Sequence, residues 1–404
     1  MCRAGRGIER VARGCVRKYG IRVATISLDL ILIFVFGFVH WRVTRLMLAR
    51  TSQPWLRACI LAFACSVAIS YAFTFSEIIN AVRLPTRVSS LLGAGSLTYF
   101  LTLTAVTAIY QILAALRRIL PPQPDPARRR LLDAAGGVLM AAPFAAVGYG
   151  AFVQRTDFRV REVDIPLADL PDDLAGLRIL QLSDIHLSAF LSEGEFARVV
   201  DASMGLHPHL TVVTGDLISG HTDPLDACIK QLARVKADAG TFGCMGNHER
   251  YAKVENYTAR ESAKYGMRFL RRESQMLRFG SATLNLAGLD FESQKLRGSY
   301  LRGMQRFVQP GAFNVLLQHN PDVFPEAARQ GYNLLLAGHT HGGQVTVEIL
   351  DQPINPARFI TPYIYGLYRR GGAAAYVTRG IGTIGIPARI GAPPEISLLR
   401  LRKA

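Results

Sequence analysis

Two histidines that follow a short apolar run have the residue type and the spacing for metal chemistry. The run Leu334–Ala337 is continuous and bounded by glycine, which is typical of a buried strand, and Gly338–Gln344 after it reads Gly-His-Thr-His-Gly-Gly-Gln. His339 and His341 are two residues apart, so an extended or turning backbone would point them to different sides. The neighbouring glycines let the backbone come close to a bound group. The pattern predicts a metal-binding turn that serves two adjacent ions.

Four other stretches repeat this design, in which an apolar strand ends in ligand-type residues. In chain order they contain Asp184 with His186, then Asp216, then Asn247 with His248 and Glu249, then His319 with Asn320. Functional residues of α/β sheets gather at the C-terminal ends of strands, so we expect these ends to converge on one site. Four histidines lie outside these stretches and are assigned to surface or interface roles. They are His40, His207, His209 and His221.

The residue types indicate which chemistry the stretches would perform. Carboxylates, imidazoles and an amide oxygen without thiolates suit zinc, manganese or iron better than calcium or copper(I). Two such ions about 3.5–4 Å apart need a bridging carboxylate and lower the pKa of a shared water from about 15.7 to near 7, which favours hydrolysis. The six cysteines include no Cys-x-x-Cys pair, and Cys228 and Cys244 are interpreted as free buried thiols, with a disulfide as the alternative.

Taken in order, the motifs Asp-x-His, Gly-Asp, Gly-Asn-His-Glu, His and Gly-His-x-His resemble the five signature blocks of the calcineurin-like metallophosphoesterase superfamily. The resemblance covers about residues 155–404. The tail from Gly382 to Ile396, together with the apolar segments in front of the domain, is similar to the bacterial membrane-anchored branch of that superfamily. The resemblance implies an α/β fold in which two packed sheets have helices outside, a four-layer α-β-β-α sandwich.

The resemblance also implies a role for each candidate residue. One divalent ion would be held by Asp184, His186 and His341 and the other by Asn247, His319 and His339, with Asp216 bridging both. His248 would bind no metal and would protonate or stabilise the leaving oxygen. The implied reaction is hydrolysis of a phosphoester, with phosphodiesters favoured, through in-line attack of a hydroxide that bridges the metals. No substrate-binding residue is assigned, since Arg250 reads more simply as an exposed arginine than as a phosphate contact.

Composition predicts a membrane anchor in front of this domain. Hydrophobic residues make up 50% of the 404 residues, and four apolar segments are close to the length that spans a bilayer. These segments are Val23–His40, Ala58–Ile79, Leu91–Leu116 and Leu131–Val153. Asp29 and Glu77 lie near segment ends and are expected to reach the membrane interface. We therefore expect an anchor over residues 1–154 and a catalytic domain over residues 155–404.

The periodicity changes at the predicted domain boundary. Apolar strands, beginning with Arg159–Leu167, alternate with amphipathic helices in the rest of the chain, which is the pattern of an α/β fold. The helices are predicted at Glu193–Met204, Pro224–Lys236 and Val254–Tyr265, and a hairpin at Arg278–Ala282.

Charge bears on partners and on orientation. Residues 1–154 carry 18 Lys and Arg against 5 Asp and Glu, and arginines that flank apolar segments are typical of membrane loops, so no nucleic-acid partner is expected. Basic residues are equally numerous on the two sides of the predicted spans, so the positive-inside rule does not fix orientation. The stretch Arg128–Asp133 resembles a twin-arginine export signal before the last span. It predicts a cytoplasmic third loop and a catalytic domain on the periplasmic side of the inner membrane.

The substrate is not specified by the sequence. A membrane anchor favours a phosphoester at or near the bilayer, such as a phospholipid headgroup, an isoprenoid phosphate or a cell-wall polymer, because tethering raises the effective concentration of surface-bound targets. One alternative is a cytoplasm-facing pyrophosphohydrolase of a nucleotide-linked lipid precursor. Another is a non-catalytic metal-binding membrane sensor, against which the intact His248 argues because a retired enzyme has no need of it.

Overall fold

Helices form the first part of the computed structural model, which describes residues 34–49, 51–75, 86–119, 125–349 and 352–404. The helices are α1 (residues 34–49), α2 (Pro54–Phe75), α3 (Thr86–Ile119) and α4 (Pro126–Phe152). Within the described residues, three helical segments are long and apolar enough to cross a membrane. They are Pro54–Tyr71, Leu91–Ile119 and Pro126–Thr156. Most of the predicted span Val23–His40 lies outside the described residues, as do Asp29 and Glu77.

These helices expose apolar side chains that a soluble domain would bury. Val138 on α4 is 71% exposed and Leu131 is 70% exposed, as expected for helices whose natural solvent is lipid. Three aromatic rings, from Phe36, Tyr71 and Phe100, pack together between α1, α2 and α3, with centroids 4.5–5.7 Å apart. The arginines at residues 117–118 and 128–130, on either side of the proline-rich stretch, are helical. They end α3 and begin α4, whose first residue is a proline, which is tolerated in the first turn of a helix.

Two six-stranded sheets form the core of the second of two compact units, Met1–Ala145 and Ala146–Ala404. The first sheet, in spatial order, contains β1 (Arg159–Leu167), β14 (Glu395–Lys403), β2 (Arg178–Leu182), β3 (Leu210–Thr214), β4 (Thr241–Cys244) and β5 (Met267–Phe269). The second contains β12 (Gly366–Arg370), β13 (Ala373–Val377), β9 (Leu334–Ala337), β8 (Phe313–Leu317), β7 (Ala282–Gly288) and β6 (Glu273–Phe279). Neighbours from β2 to β5, and from β13 to β7, run parallel. Their C-terminal ends therefore lie at one edge of each sheet.

Five helices and a short hairpin complete this unit. They are α5 (Glu193–Met204), α6 (Leu225–Leu232), α7 (Asn247–Ala252), α8 (Glu255–Ala263), α9 (Phe324–Gln330), β10 (Val347–Ile349) and β11 (Gln352–Ile354). Helix α5 has the predicted bounds because Ser192 and Glu195 form a capping box at its start. Helices α6 and α8 are shorter than predicted. Helix α7 was not predicted from the sequence, and it begins at Asn247, in the stretch that contains His248 and Glu249. The predicted domain boundary at residue 154 stays a prediction.

Alternating side chains of the strands build three layers of core. On β9, Leu334 and Leu336 belong to the core between the two sheets, together with side chains of the first sheet such as Ile179, whereas Leu335 belongs to the core that includes α9. The other face of the first sheet is covered by α5 and α6, for example by Phe196. Helices thus lie outside two packed sheets, which confirms the predicted four-layer α/β sandwich.

Truncating the core between the sheets tests this packing. Leu336 is fully buried, so Leu336→Ala is expected to lower the free energy of unfolding by about 3 kcal/mol, through lost transfer energy and the cavity left behind. The matched control Leu296→Ala removes the same atoms from a side chain that is 39% exposed and should cost under about 1 kcal/mol. Thermal unfolding of the full chain in detergent measures both, and equal shifts in Tm would contradict the assigned core.

Candidate metal centre

The candidate ligands follow the C-terminal ends of five strands. Asp184 and His186 come after β2, Asp216 after β3, Asn247 after β4, His319 after β8, and His339 and His341 after β9. The side chain of Gln181 joins these ends across the two sheets, because its Nε2 donates to Thr214 Oγ1 (3.0 Å) and to the carbonyl of Ala337 (2.9 Å). Strand register and this cross-link bring the separate motifs to one place, as the sequence predicts.

Asp184, His186 and His341 form the first cluster of potential ligands. Their ligand atoms lie within 4.8 Å of one another, and all three residues are buried. The Nε2 of His341 is 3.3 Å from Asp184 Oδ1 and 3.2 Å from the Nε2 of His186. At this distance one ring can donate an Nε2–H to the other, and a metal ion that took the place of that proton would find two imidazole lone pairs beside a carboxylate. The donor set fits a divalent metal ion.

Asp216, His319 and His339 form the second cluster, again within 4.8 Å. His319 Nδ1 donates to the carbonyl of Thr214 at 2.6 Å, so Nε2, 3.1 Å from Asp216 Oδ2, is the atom that would bind metal once its proton is displaced. The same Oδ2 is 3.5 Å from the Nε2 of His186, which belongs to the first cluster. The Asp216 carboxylate therefore lies between the two clusters, where a bridging ligand has to be.

Asn247 supplies a buried amide next to the second cluster. It is 5% exposed, and its Oδ1 is one of the few buried side-chain atoms in the described part of the chain with no hydrogen-bond partner. Its neighbour His248 donates its backbone N–H to Asp216 Oδ1 at 2.9 Å. Buried polar atoms are nearly always satisfied, so an orphaned amide oxygen in this position fits a metal ligand. The residues present thus fit two divalent ions with nitrogen and oxygen ligands.

The backbone at the centre is held in an unusual conformation. Five of the predicted ligands have positive φ angles: Asp184 (50°), His186 (49°), Asp216 (56°), His339 (74°) and His341 (53°). Non-glycine residues rarely adopt this left-handed region, and such strain persists only where surrounding contacts over-determine it. Close packing is also needed, since a Cβ on Gly246 would lie 2.8 Å from the Asp216 carboxyl carbon.

Burial and charge set the protonation of the cluster. Burial lowers the pKa of His186 and of His339 to about 3 and that of His341 well below its usual value, so these imidazoles are neutral at pH 7. Burial raises the pKa of Asp184 to about 6. Burial acts against the charged form of His319, but the carboxylates of Asp216 and Asp184 outweigh it and raise the pKa of that imidazole to about 10.

His248 lies where the centre reaches the surface. His248 and His339 are partly exposed. The side chains of Asp184, His186, Asp216, His319 and His341 are buried. The Nδ1 of His248 is 2.6 Å from the carbonyl of Ser219, and its ring centroid is 4.7 Å from that of His186. His248 also lies within ligand distance of His186 and Asp216, so its predicted role as a non-ligand stays a prediction.

Glu249 is a residue of the centre to which sequence reasoning assigned no role. Its fully buried carboxylate accepts hydrogen bonds from three backbone N–H groups: those of Asp216 (2.9 Å), Leu217 (2.7 Å) and Gly246 (2.8 Å). Burial, reinforced by the charge of Asp216, raises its pKa to about 7. The available signal was the position of Glu249 three residues after Gly246, the spacing of a capping box at the start of α7.

Other residues that the sequence singled out belong to neither cluster of potential ligands. Cys228 and Cys244 are free, buried thiols, as interpreted from the sequence. The exposed Arg250 donates from Nη1 to the carbonyl of Phe291 at 3.1 Å. His209 Nδ1 accepts the backbone N–H of Arg178, and the ring of His40 bonds the carbonyl of Ala64. These contacts are structural ones.

Comparison with known proteins gives a consistent result. Residues 177–343 match the family described as calcineurin-like phosphoesterase. The chain is 32% identical over 260 residues to a zebrafish (Danio rerio) transmembrane protein with metallophosphoesterase domain, covering 61% of this chain and 58% of that protein. It is 29% identical to an uncharacterized metallophosphoesterase, YkuE, of Bacillus subtilis, and the alignment covers 68% of this chain and 97% of YkuE. It is 27% identical to phosphodiesterase YaeI of Escherichia coli, covering 68% and 98%.

Replacing Glu249 tests its support of the Asp216 turn. Glu249→Gln keeps the shape but replaces one acceptor oxygen by an NH₂ group, which faces backbone N–H groups and cannot accept them. We expect metal affinity to fall about 10–100-fold, the usual effect of losing a partner that orients metal ligands. Metal titration of the full chain measures the affinity, with Glu326→Gln on the surface of α9 as the control. Unchanged metal affinity in Glu249→Gln would show that the turn containing Asp216 keeps its conformation without the Glu249 carboxylate.

Metal binding should release protons. A metal ligand must be unprotonated, and the raised pKa of His319, about 10, means that this ring carries a proton at pH 7.5 that the ion has to displace. Affinity is therefore expected to rise with pH up to about 10 and to fall at acid pH, where Asp184 with its pKa of about 6 also takes up a proton. Calorimetric titration in buffers of different ionisation enthalpy counts the protons. Identical binding enthalpies in all buffers would contradict the charged His319.

Proposed function

We propose that the chain is a membrane-anchored, metal-dependent phosphodiesterase with two divalent ions at its centre, a proposal supported by the match of residues 177–343 to the calcineurin-like phosphoesterase family and by the likeness to a bacterial phosphodiesterase. The observation that carries this proposal is the position of Asp216, whose Oδ2 is 3.1 Å from His319 Nε2 in one cluster and 3.5 Å from His186 Nε2 in the other. When bound, manganese, iron or zinc ions at such a site activate water and offset the negative charge of the phosphate.

The proposal gives each residue a defined task. One ion would be held by Asp184, His186 and His341 and the second by Asn247, His319 and His339, with Asp216 shared. His248 would face the substrate from the exposed side of the centre. Its Nδ1 is engaged with the Ser219 carbonyl, so Nε2 is the atom that would hand a proton to the leaving oxygen.

The cavities around the centre support an extended, anionic substrate. A cavity of about 150 Å³ is lined by His339, Asn320 and the apolar Ile360. Asp322 lines both this cavity and a larger one of about 940 Å³, which has four arginine and two acidic side chains in its wall. Both acids are partnered, Glu326 by Arg329 and Asp322 by Arg297. An ester that carries further negative charge, such as a phospholipid headgroup or a cell-envelope polymer, fits these walls.

The proposed location is the inner membrane of a bacterium, with the catalytic unit on the periplasmic side. The three candidate spans support membrane anchoring, and the resemblance of Arg128–Asp133 to a twin-arginine export signal supports a cytoplasmic start for α4. A reporter enzyme fused after Ala404 that is active only in the periplasm tests the side. If a second reporter, active only in the cytoplasm, gave the signal instead, the catalytic unit would lie on the cytoplasmic side and the proposed chemistry would be unchanged.

Hydrolysis by the purified full chain in detergent tests the proposed reaction. Metal-stripped protein should gain turnover of bis(p-nitrophenyl) phosphate when manganese, iron or zinc is added, and turn over p-nitrophenyl phosphate more slowly. His248→Ala should keep both metals while kcat falls about 10²–10⁴-fold, since it removes proton transfer and no ligand. Asp216→Ala should lose activity and most of the metal. The exposed His221→Ala serves as the matched control and should change neither.

Three outcomes would contradict parts of this proposal. Loss of metal from His248→Ala would make His248 a ligand. Full turnover and metal content in Asp216→Ala would remove the shared carboxylate. Two bound metals without turnover of either ester, or of phospholipid headgroups, would favour a metal-binding module that lacks catalysis.

A further inference from the structure

Arg389 is the largest fully buried side chain in the described part of the protein. It has no carboxylate within ion-pair distance among the described residues, because the nearby Glu395 is paired with Arg161 and Arg379. A buried guanidinium that no carboxylate contacts directly is costly, because the charges of Asp184 and Glu395 act on it only at longer range, and it persists where hydrogen bonds compensate. Burial lowers its pKa to about 10, so the group remains charged at neutral pH.

The donors of Arg389 reach main-chain carbonyls of three separate segments. Nε donates to the carbonyl of Gly382 at 3.0 Å, and Nη2 donates to the same oxygen. Nη1 donates to the carbonyl of Ala392 at 3.0 Å and to that of His341 at 3.4 Å. A planar guanidinium presents its donors in a fixed geometry, so it can clamp several carbonyls at once in a way that lysine cannot.

Two of these carbonyls belong to the structure around one cluster of ligands. His341 is itself a member of the cluster with Asp184 and His186. The backbone N–H of Gly382 donates to the carbonyl of Asp184 at 2.7 Å, and a Cβ on Gly382 would lie 2.8 Å from the Cβ of His186. Arg389 therefore ties the turn that carries His341 to the turn that carries Asp184 and His186.

The same loop is packed against the end of helix α4. The backbone N–H of Arg389 donates to the carbonyl of Gly150 at 3.1 Å, and that of Gly391 donates to Gln154 Oε1 at 2.7 Å. A Cβ on Gly150 would lie 2.6 Å from the carbonyl oxygen of Arg389. The contact thus requires glycine at position 150, and a larger side chain there would displace the loop that bears Arg389.

We propose that Arg389 is a positioning residue that holds Asp184, His186 and His341 in geometry for one of the two metal ions, and that the end of α4 fixes Arg389 in turn. The proposal rests on the ligand assignment given above. It explains how three ligands with positive φ angles stay in strained conformations, because the clamp acts on the backbone that bears them. No hydrogen bond of Arg389 in the described residues reaches Asp216, His319 or His339, so the second ion should be unaffected.

The full chain in detergent, titrated with manganese, tests the proposal. Arg389→Met removes the clamp, and Arg389→Lys keeps the charge without the fork. In both we expect the affinity of one ion to fall about 10–100-fold while the other is unchanged. The signal of spin-coupled manganese pairs should give way to that of a single ion, and excess manganese should restore kcat. Gly150→Val should also weaken the binding of one ion only, although residue 150 touches no candidate ligand. Arg400 is exposed and ion-paired, and Arg400→Met should weaken neither ion.

The possible results separate this inference from the proposed function. Two ions of wild-type affinity in Arg389→Met and Gly150→Val would overturn the inference while leaving the enzyme in place. Equal weakening of both ions would show a general loss of structure and would also overturn it. If Arg389→Met does not fold, Arg389→Lys and the milder Gly150→Ala decide by the same criterion. A wild-type protein that binds two ions without turnover would refute the function alone.

Discussion

The burial of the Asp216 carboxylate is the constraint on which the centre depends. This group is 1% exposed, and an isolated carboxylate at such a depth would take up a proton. Burial raises its pKa, but the charged His319 ring beside it outweighs that cost and holds the pKa well below its usual value. The carboxylate is therefore charged at neutral pH and available to ligands on both sides. Its position at the end of a fully buried parallel strand follows from this need for several surrounding partners.

Glu249 places a second carboxylate close to that of Asp216. The way this pair is held shows that hydrogen bonds from backbone N–H groups fix the geometry of the centre. Like charges so near each other are unfavourable, which is why the pKa of Glu249 rises to about 7. Three backbone N–H groups offset the repulsion and fix the turn after β3 to the start of α7. The geometry of the candidate ligands is thus set by hydrogen bonds to the backbone next to them, and Arg389 plays the corresponding part at the cluster that contains His341.

The sequence predicted that the candidate ligand residues lie together, because their chemistry and their placement are both local signals. An apolar run that ends in Asp, Asn or His indicates both the end of a strand and a candidate ligand. Parallel pairing within each sheet then brings these strand ends to the same edge of that sheet. Arg389 lacked such a signal. Glu249 stands in one of these stretches but was assigned no role, since both residues act on main-chain amides and carbonyls that any residue supplies. The ends of α6 and the helical start of α4 were also missed, because helix ends depend on packing and on the tolerance for proline in the first turn.

The division of labour in the centre follows from where its parts lie. The ligands are carried at the ends of strands that pack on both faces, so their positions are rigid and the class of reaction is fixed with them. The adjacent cavities are lined largely by loop residues such as Gln294, Ile360 and Arg302, which connect elements and can vary without disturbing the sheets. Under the proposed function, the strand ends determine the class of reaction and the loops determine which phosphoester is accepted, so likeness in the candidate ligands carries little information about substrate.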